Sequence, residues 1–289
     1  MKRCLAMIFA VLCASLSVAS ACTAAPSDWV EFTLGSNSDG EIRVSFRDGE
    51  RGEDDNRWSA SFAPAQLAGL DVAGFRANGT RPLRFALVRE AGRLDCSGRG
   101  GNSYASGNCS LTADPGFAQL LESRGIDRPT RKQSFGLVAL DVRRDLIDAI
   151  AAARYPAPDI DDLMALTAVG VTRSYISGLA RLGYRPSSIN DLVEFKALNI
   201  TPEYVGAFSR AGYGNLDPGD LVQLKALDVT PEYVAGFERL GYRNLPVSKL
   251  VQLKALNITP EFVRSVETRR GEVPSVDELV ERKIFARRR

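Results

Sequence analysis

The sequence predicts an α+β fold in two parts. An N-terminal antiparallel β-rich domain covers residues 28–140, and a C-terminal α-helical hairpin repeat array covers residues 141–289, solenoid-like with a period of about 29 residues. Two observations predict it. Between Trp29 and Leu111, apolar and polar residues alternate in short runs divided by turn residues, the period-2 pattern of half-buried strands. Further on, Asp162-Leu163, Asp191-Leu192, Asp220-Leu221 and Lys249-Leu250 recur at a step of 29, as do Tyr175, Tyr204, Tyr233 and Phe262. A fixed period in this range marks stacked units, none of which buries its apolar face alone.

Ahead of both parts, residues 1–21 read as a secretory signal. Lys2 and Arg3 precede an apolar run from Leu5 to Val18, and Ala19-Ser20-Ala21 satisfies the small-x-small cleavage rule. The run is too short for a membrane span, and no second one follows. The expected location is therefore the periplasm, either free or tethered as an outer-membrane lipoprotein. Val18 to Cys22 resembles a bacterial lipobox, in which Cys22 would carry the lipid, with Ala19 where that motif favours Leu. Cleavage after Ala25 is the alternative; it discards Cys22, and Pro26 argues against it. Cys4 and Cys13 leave with the signal. Cys96 and Cys109 can pair in an oxidising compartment, which leaves Cys22 odd, and acylation accounts for an odd secreted cysteine.

In the front half, Trp29–Leu34 and Ile42–Phe46 alternate as strands around the turn segment Gly35–Gly40. Trp58–Phe62 is a third strand, and Pro64 to Leu70 reads as one short helix. Leu83–Val88 and Leu94–Cys96 follow, separated by Ala91-Gly92. Ser97 to Asn108, rich in Gly, Ser and Asn, reads as a floppy loop before Cys109–Leu111. A Cys96–Cys109 bridge there stabilises the pairing by about 2–4 kcal/mol. A redox role fits poorly, because the spacing is not C-x-x-C and nothing nearby lowers a thiol pKa. Gly98–Asn102 lacks the Lys-Ser/Thr end of a phosphate-binding loop. Asp114-Pro115 begins a helix to about Arg124, which Gly125 ends. Residues 133–140 fit either a strand or part of a worn first repeat.

In the back half, Asp217 caps a helix with Pro218 at its first position, and Leu221, Leu224 and Leu227 give it an apolar stripe. The chain breaks at Asp228-Val229. Thr230-Pro231-Glu232 then starts a second helix carrying Tyr233, Val234, Phe237 and Leu240, with Gly241 as a left-handed C-cap. The same order of residues recurs at Asn199–Val205 and Asn257–Val263. It is worn at Gly170–Tyr175, a half unit precedes it around Asp141-Val142 and Ala151–Tyr155, and a last helix begins near Val276.

Stacked repeats also repeat their surface. Lys196, Lys225 and Lys254 hold one position, Arg181, Arg210 and Arg239 another, and Glu203, Glu232 and Glu261 a third. The glutamates stand at helix starts, where the helix dipole favours them without any partner. The Lys and Arg stripes are consistent with a groove for an extended partner or with solvated faces. With 37 basic and 35 acidic residues, electrostatics demands neither a polyanion nor a membrane surface. There is no histidine, which excludes Ser-His-Asp and Cys-His nucleophiles and His-ligated zinc. The sequence assigns no catalytic, cofactor-binding or metal-binding residue.

The motif Leu-Val-Gln-Leu-Lys-Ala-Leu-x-[Val/Ile]-Thr-Pro-Glu-[Tyr/Phe]-Val, at Leu221–Val234 and Leu250–Val263, carries a resemblance. It is similar to helical repeats of exported Gram-negative bacterial proteins, which also form tails of beta-lactam-sensing-type membrane metallopeptidases. Leu87–Gly92 followed by Cys96-Ser97-Gly98 looks like the β-rich domain that accompanies them. The resemblance implies no reaction, and the peptidase's zinc motif is absent here. A second resemblance, of Val169–Thr172 with Leu182-Gly183-Tyr184, is to helix-hairpin-helix DNA-binding repeats. The later hairpins replace the glycine and add Pro, which has no amide to offer a phosphate, and Glu.

These readings predict a noncatalytic exported interaction or scaffold protein whose helices bind another periplasmic or envelope protein, and not nucleic acid. The alternatives are a sensor accessory to a membrane metallopeptidase, and a carboxylate-based hydrolase using a pair among Asp54, Asp55, Glu90 and Asp95. DNA binding ranks last.

Overall fold

A computed structural model describes residues 29–37, 39–48, 56–266 and 273–286. The segment read as a signal, Cys22, Asp54 and Asp55 lie outside the described residues. Six strands form one antiparallel sheet: β1 (Trp29–Ser36), β2 (Ile42–Asp48), β3 (Asn56–Phe62), β4 (Arg81–Arg89), β5 (Gly92–Gly101) and β6 (Tyr104–Ala113). Their order is β3-β2-β1-β6-β5-β4. Alternation does what the sequence pattern requires. Val30, Phe32 and Leu34 of β1 and Ile42, Val44 and Phe46 of β2 are buried on one face, while Glu31 and Arg43 point out.

Two stretches of the β domain differ from the sequence expectation. Ser97–Asn108 is not a loop: β5 and β6 run through it and turn only at Asn102 and Ser103, both at positive φ (52° and 62°), as a two-residue hairpin turn demands. The glycines are there for close approach of backbones. A Cβ on Gly98 would sit 2.1 Å from the Ser106 carbonyl oxygen, and one on Gly107 2.2 Å from that of Ser97. Cys96 and Cys109 therefore lie mid-strand, directly opposite each other and buried, with their sulfurs 2.01 Å apart. The expected helix at Pro64–Leu70 shrinks to a 3-10 turn, Pro64–Gln66, after which Ala68 exchanges backbone hydrogen bonds with Ala86 along the free edge of β4.

Thirteen α-helices are present among the described residues. The short α1 (Val72–Arg76), capped by Asp71, packs near the β5–β6 hairpin, where Ser103 N–H donates to the Phe75 carbonyl. α2 (Pro115–Ser123) and α3 (Arg131–Leu140) follow the sheet. Residues 133–140 are thus helical. Phe135 of α3 meets Phe46 of the sheet edge-on, with ring centroids 6.1 Å apart. The remaining helices are α4 (Arg144–Ala152), α5 (Ile160–Ala168), α6 (Arg173–Arg181), α7 (Ile189–Ala197), α8 (Pro202–Arg210), α9 (Pro218–Ala226), α10 (Pro231–Glu238), α11 (Val247–Ala255), α12 (Pro260–Ser265) and α13 (Val276–Ala286).

Helices two apart in sequence touch. α3, α5, α7, α9, α11 and α13 form one row, and α2, α4, α6 and α8 a second, with α10 against α12. Cap chemistry fixes each start. The Thr172, Thr201, Thr230 and Thr259 hydroxyls accept from the amides of Tyr175, Tyr204, Tyr233 and Phe262. Asp159–Asp162 and Ser188–Asp191 close reciprocal capping boxes, whereas Asp217 stands at its N-cap without a side-chain bond. Left-handed residues end the helices: Asp141, Gly170, Asn199, Asp228 and Asn257 after one row, and Gly125, Arg154, Gly183, Gly212 and Gly241 after the other. One contiguous buried cluster runs from Val30 of the sheet to Leu221 of α9, and two smaller ones cover the rest.

Candidate functional site

The repeated tyrosines build the joints on which any site here must sit. Tyr175, Tyr204 and Tyr233 donate their hydroxyls to the carbonyls of Ile200, Val229 and Ile258, at 2.6, 2.9 and 2.7 Å. Tyr184, Tyr213 and Tyr242 do the same toward Leu216, Leu245 and Pro274, at 3.0, 2.8 and 2.5 Å. Each phenol thus satisfies a backbone oxygen in the turn or loop beyond a later helix. Burial pushes the Tyr155 and Tyr184 pKa values up to about 12, and moves those of Tyr175, Tyr204 and Tyr233 upward as well.

The lysine stripe lies on these rings. The ammonium groups of Lys196, Lys225 and Lys254 stand 5.1, 4.9 and 5.1 Å from the ring centroids of Tyr175, Tyr204 and Tyr233. Lys283 repeats the contact on Phe262 at 4.4 Å. Lys254 also lies 3.6 Å from the Asp228 carboxylate. All three stripe lysines are half-buried, with the charge held between neighbouring helices. The sequence contained the signal, since each Lys follows its aromatic partner by 21 residues, but the spacing acquires meaning only once the helices are stacked.

The arginines are placed differently. Arg181 and Arg210, at the ends of α6 and α8, are exposed and have no carboxylate partner among the described residues. Together with Lys196 they line a cleft of about 610 Å³ between these helices. At its floor the buried Gly178 and Gly206 let α6 and α8 approach closely. A Cβ on Gly178 would lie 2.8 Å from Pro202 Cγ, and one on Gly206 3.3 Å from Leu182 Cδ2. Thr172, Ser174 and Thr201 add hydroxyls. Glu203 is the one carboxylate in the lining among the described residues, against three cations. Its pKa is lowered by its own backbone amide and by the Thr201 hydroxyl, so it stays ionised at neutral pH. The local balance is therefore +2, three minus one. Arg239 sits apart, in a smaller hollow with Glu238 and Arg243.

Of the acids considered for hydrolysis, the two that lie among the described residues have partners. Asp95 accepts from Arg93 at 2.7 Å on the exposed sheet face. Glu90 accepts from the Arg144 amide at 2.7 Å and lies 3.5 Å from Arg143, tying the β4–β5 turn to the start of α4. No cluster of three His, Cys, Asp or Glu side chains with metal-ligating geometry occurs among the described residues. No single described helix is long and apolar enough to cross a membrane.

Comparison with family models, curated proteins and solved structures finds no match.

Proposed function

We propose that this is a noncatalytic exported interaction protein whose helical rows hold an extended acidic segment of another envelope protein. The observation that carries the reading is the cleft between α6 and α8, where Arg181 and Arg210 offer guanidinium forks that no carboxylate among the described residues occupies. Such forks take carboxylates in pairs of parallel hydrogen bonds. The helices act as units of a 29-residue solenoid. Helix starts at residues 160, 189, 218, 247 and 276 support this, as do the left-handed residues at the same step. The chain is exported behind residues 1–21, and the lipid reading places a tether on Cys22. A disulfide between Cys96 and Cys109 suits that compartment.

The test uses a defined probe, a synthetic Asp- and Glu-rich peptide in extended form, with a charge-neutral Asn/Gln version as control. Binding of the acidic peptide alone, weakened by salt and abolished by Arg181→Glu with Arg210→Glu, supports the reading. Equal binding by both peptides, or no response to the double substitution, refutes it. The arginines are the right target, because charge reversal of the lysines also breaks the joints. Intact mass of the mature chain checks the Cys22 lipid and the Cys96–Cys109 bridge on one sample.

A further inference from the structure

The sheet's exposed face carries a second recess that the helical rows do not touch. Residues opposite one another across four strands form rows on this face: Trp29, Ser110, Asp95 and Ala86, then Glu31, Asn108, Ser97 and Arg84. Trp29 and Glu31 stand at one end and Arg84 at the other, with shorter side chains between. A trough of about 500 Å³ results, walled by Trp29 of β1 on one side and by Arg84 of β4 on the other, with Ser110 of β6 and Arg93, Asp95 and Ser97 of β5 between them. Three strand spacings separate the walls, about 14 Å.

We infer that this trough binds an acidic polysaccharide, seating a carboxylated sugar ring between Trp29 and Arg84. The Trp29 indole is 55% exposed, and an aromatic plane left in water beside hydroxyls suits a ligand with one apolar face and a polar rim. A pyranose ring has that form, with its axial C–H groups on one face and hydroxyls around the edge. The protein leaves the matching hydrogen-bond groups unused. Ser97, Ser110 and Asn108 make no side-chain hydrogen bond among the described residues. Both Arg93 contacts to Asp95 fall on Oδ1, at 2.7 Å from Nε and 2.6 Å from Nη2, which leaves Oδ2 to accept from sugar hydroxyls. Arg84 has no carboxylate partner among the described residues and is exposed, so its fork is open to the ligand. Charge complementarity selects the acidic sugar: Arg93 and Asp95 pair with each other on β5, which leaves the Arg84 guanidinium to meet the ligand's carboxylate. A strand added at the β4 edge is blocked by the Ala68–Ala86 bridge, so the ligand lies on the face and not along the edge.

The experiment measures binding of the mature chain to oligogalacturonate by calorimetry and tryptophan emission, with maltohexaose as the neutral control. Oligogalacturonate is expected to bind with an affinity that falls as salt rises. Trp29→Ala should weaken it by about tenfold or more, while Trp29→Phe keeps most of it. Arg84→Gln should weaken oligogalacturonate severalfold and leave maltohexaose unchanged. Both side chains are exposed, and circular dichroism with a melting curve verifies that each variant is folded. Absence of binding by either sugar overturns the proposal. So does unaltered affinity in folded Trp29→Ala, or equal binding of both sugars without response to Arg84→Gln. Arg181→Glu is measured with the same sugar: loss there would locate the ligand in the helical cleft and also overturn it.

Discussion

The joint around Tyr204 makes the sharpest prediction. Its hydroxyl donates to the Val229 carbonyl at 2.9 Å, and Lys225 lies 4.9 Å from its ring centroid, so α9 and its following turn hold α8 twice. Tyr204→Phe keeps the ring and removes the hydrogen bond, at a cost of about 1 kcal/mol, rising toward ~3 if the carbonyl stays dry. Lys225→Met keeps the apolar stem and removes the charge, at a cost of about 1 kcal/mol for a half-buried cation–π contact. Tyr204→Leu removes both interactions. In a double-mutant cycle of Tyr204→Leu with Lys225→Met, measured by urea unfolding, the coupling should be about 0.5–1 kcal/mol. Each kilocalorie lowers the melting temperature by about 2–4 °C in a chain of this size. A coupling within about 0.3 kcal/mol of zero would refute the reasoning. The lysine charge would then belong to solvent, and the stripe would be available to a partner after all.

Three other predictions rest on separate features. A Cβ on Gly236 would come within 2.5 Å of Pro260 Cγ, so Gly236→Ala should destabilise by about 1–3 kcal/mol in urea unfolding, whereas Gly219→Ala, with open space around it, should be neutral or stabilising. Arg154 holds a left-handed conformation (φ 60°) where the later units carry Gly183, Gly212 and Gly241; Arg154→Gly should raise the urea midpoint, with a net gain of about 0.5–1 kcal/mol. The buried phenols make stability fall in alkali. Folding raises the pKa of Tyr155 and Tyr184 to about 12 and also raises those of Tyr175, Tyr204 and Tyr233, so their contribution is complete below the ordinary phenol range near 10 and is lost as pH rises through the folded values. Unfolding midpoints from about pH 9 upward, with phenolate absorbance followed in parallel, check this; a midpoint that stays flat up to pH 12 contradicts it.

Much of this architecture was legible in the sequence because local rules and tertiary need coincide. Thr-Pro starts, Asn or Asp before Val or Ile, and Gly-Tyr ends are cap grammar, and each maps onto a helix boundary. Ser97–Asn108 was misread because composition alone does not separate a linker from a tightly paired hairpin. The glycines at 98 and 107 look like slack, yet each fills a place where a side chain would strike the opposite backbone. Of the candidate site, Arg181, Arg210 and Lys196 converge, but the close approach of α6 and α8 beneath them rests on Gly178 and Gly206, which a charge pattern cannot reveal. The trough on the sheet was invisible for a related reason. Which of the alternating polar residues face each other depends on strand order, and β1 pairs with β6, with Trp29 opposite Ser110 and Glu31 opposite Asn108.

The core's division has a consequence for how the molecule comes apart. Buried contacts form one cluster from Val30 to Leu221, but beyond it only small clusters remain around Phe208 and Phe237. The tyrosine hydroxyls reach 25 or 32 positions ahead and no further. Nothing therefore obliges the distal helices to open together with the sheet. A protease acting on the far end would trim the chain in steps, leaving progressively shorter proteins that are each still folded, all with the same disulfide-braced head.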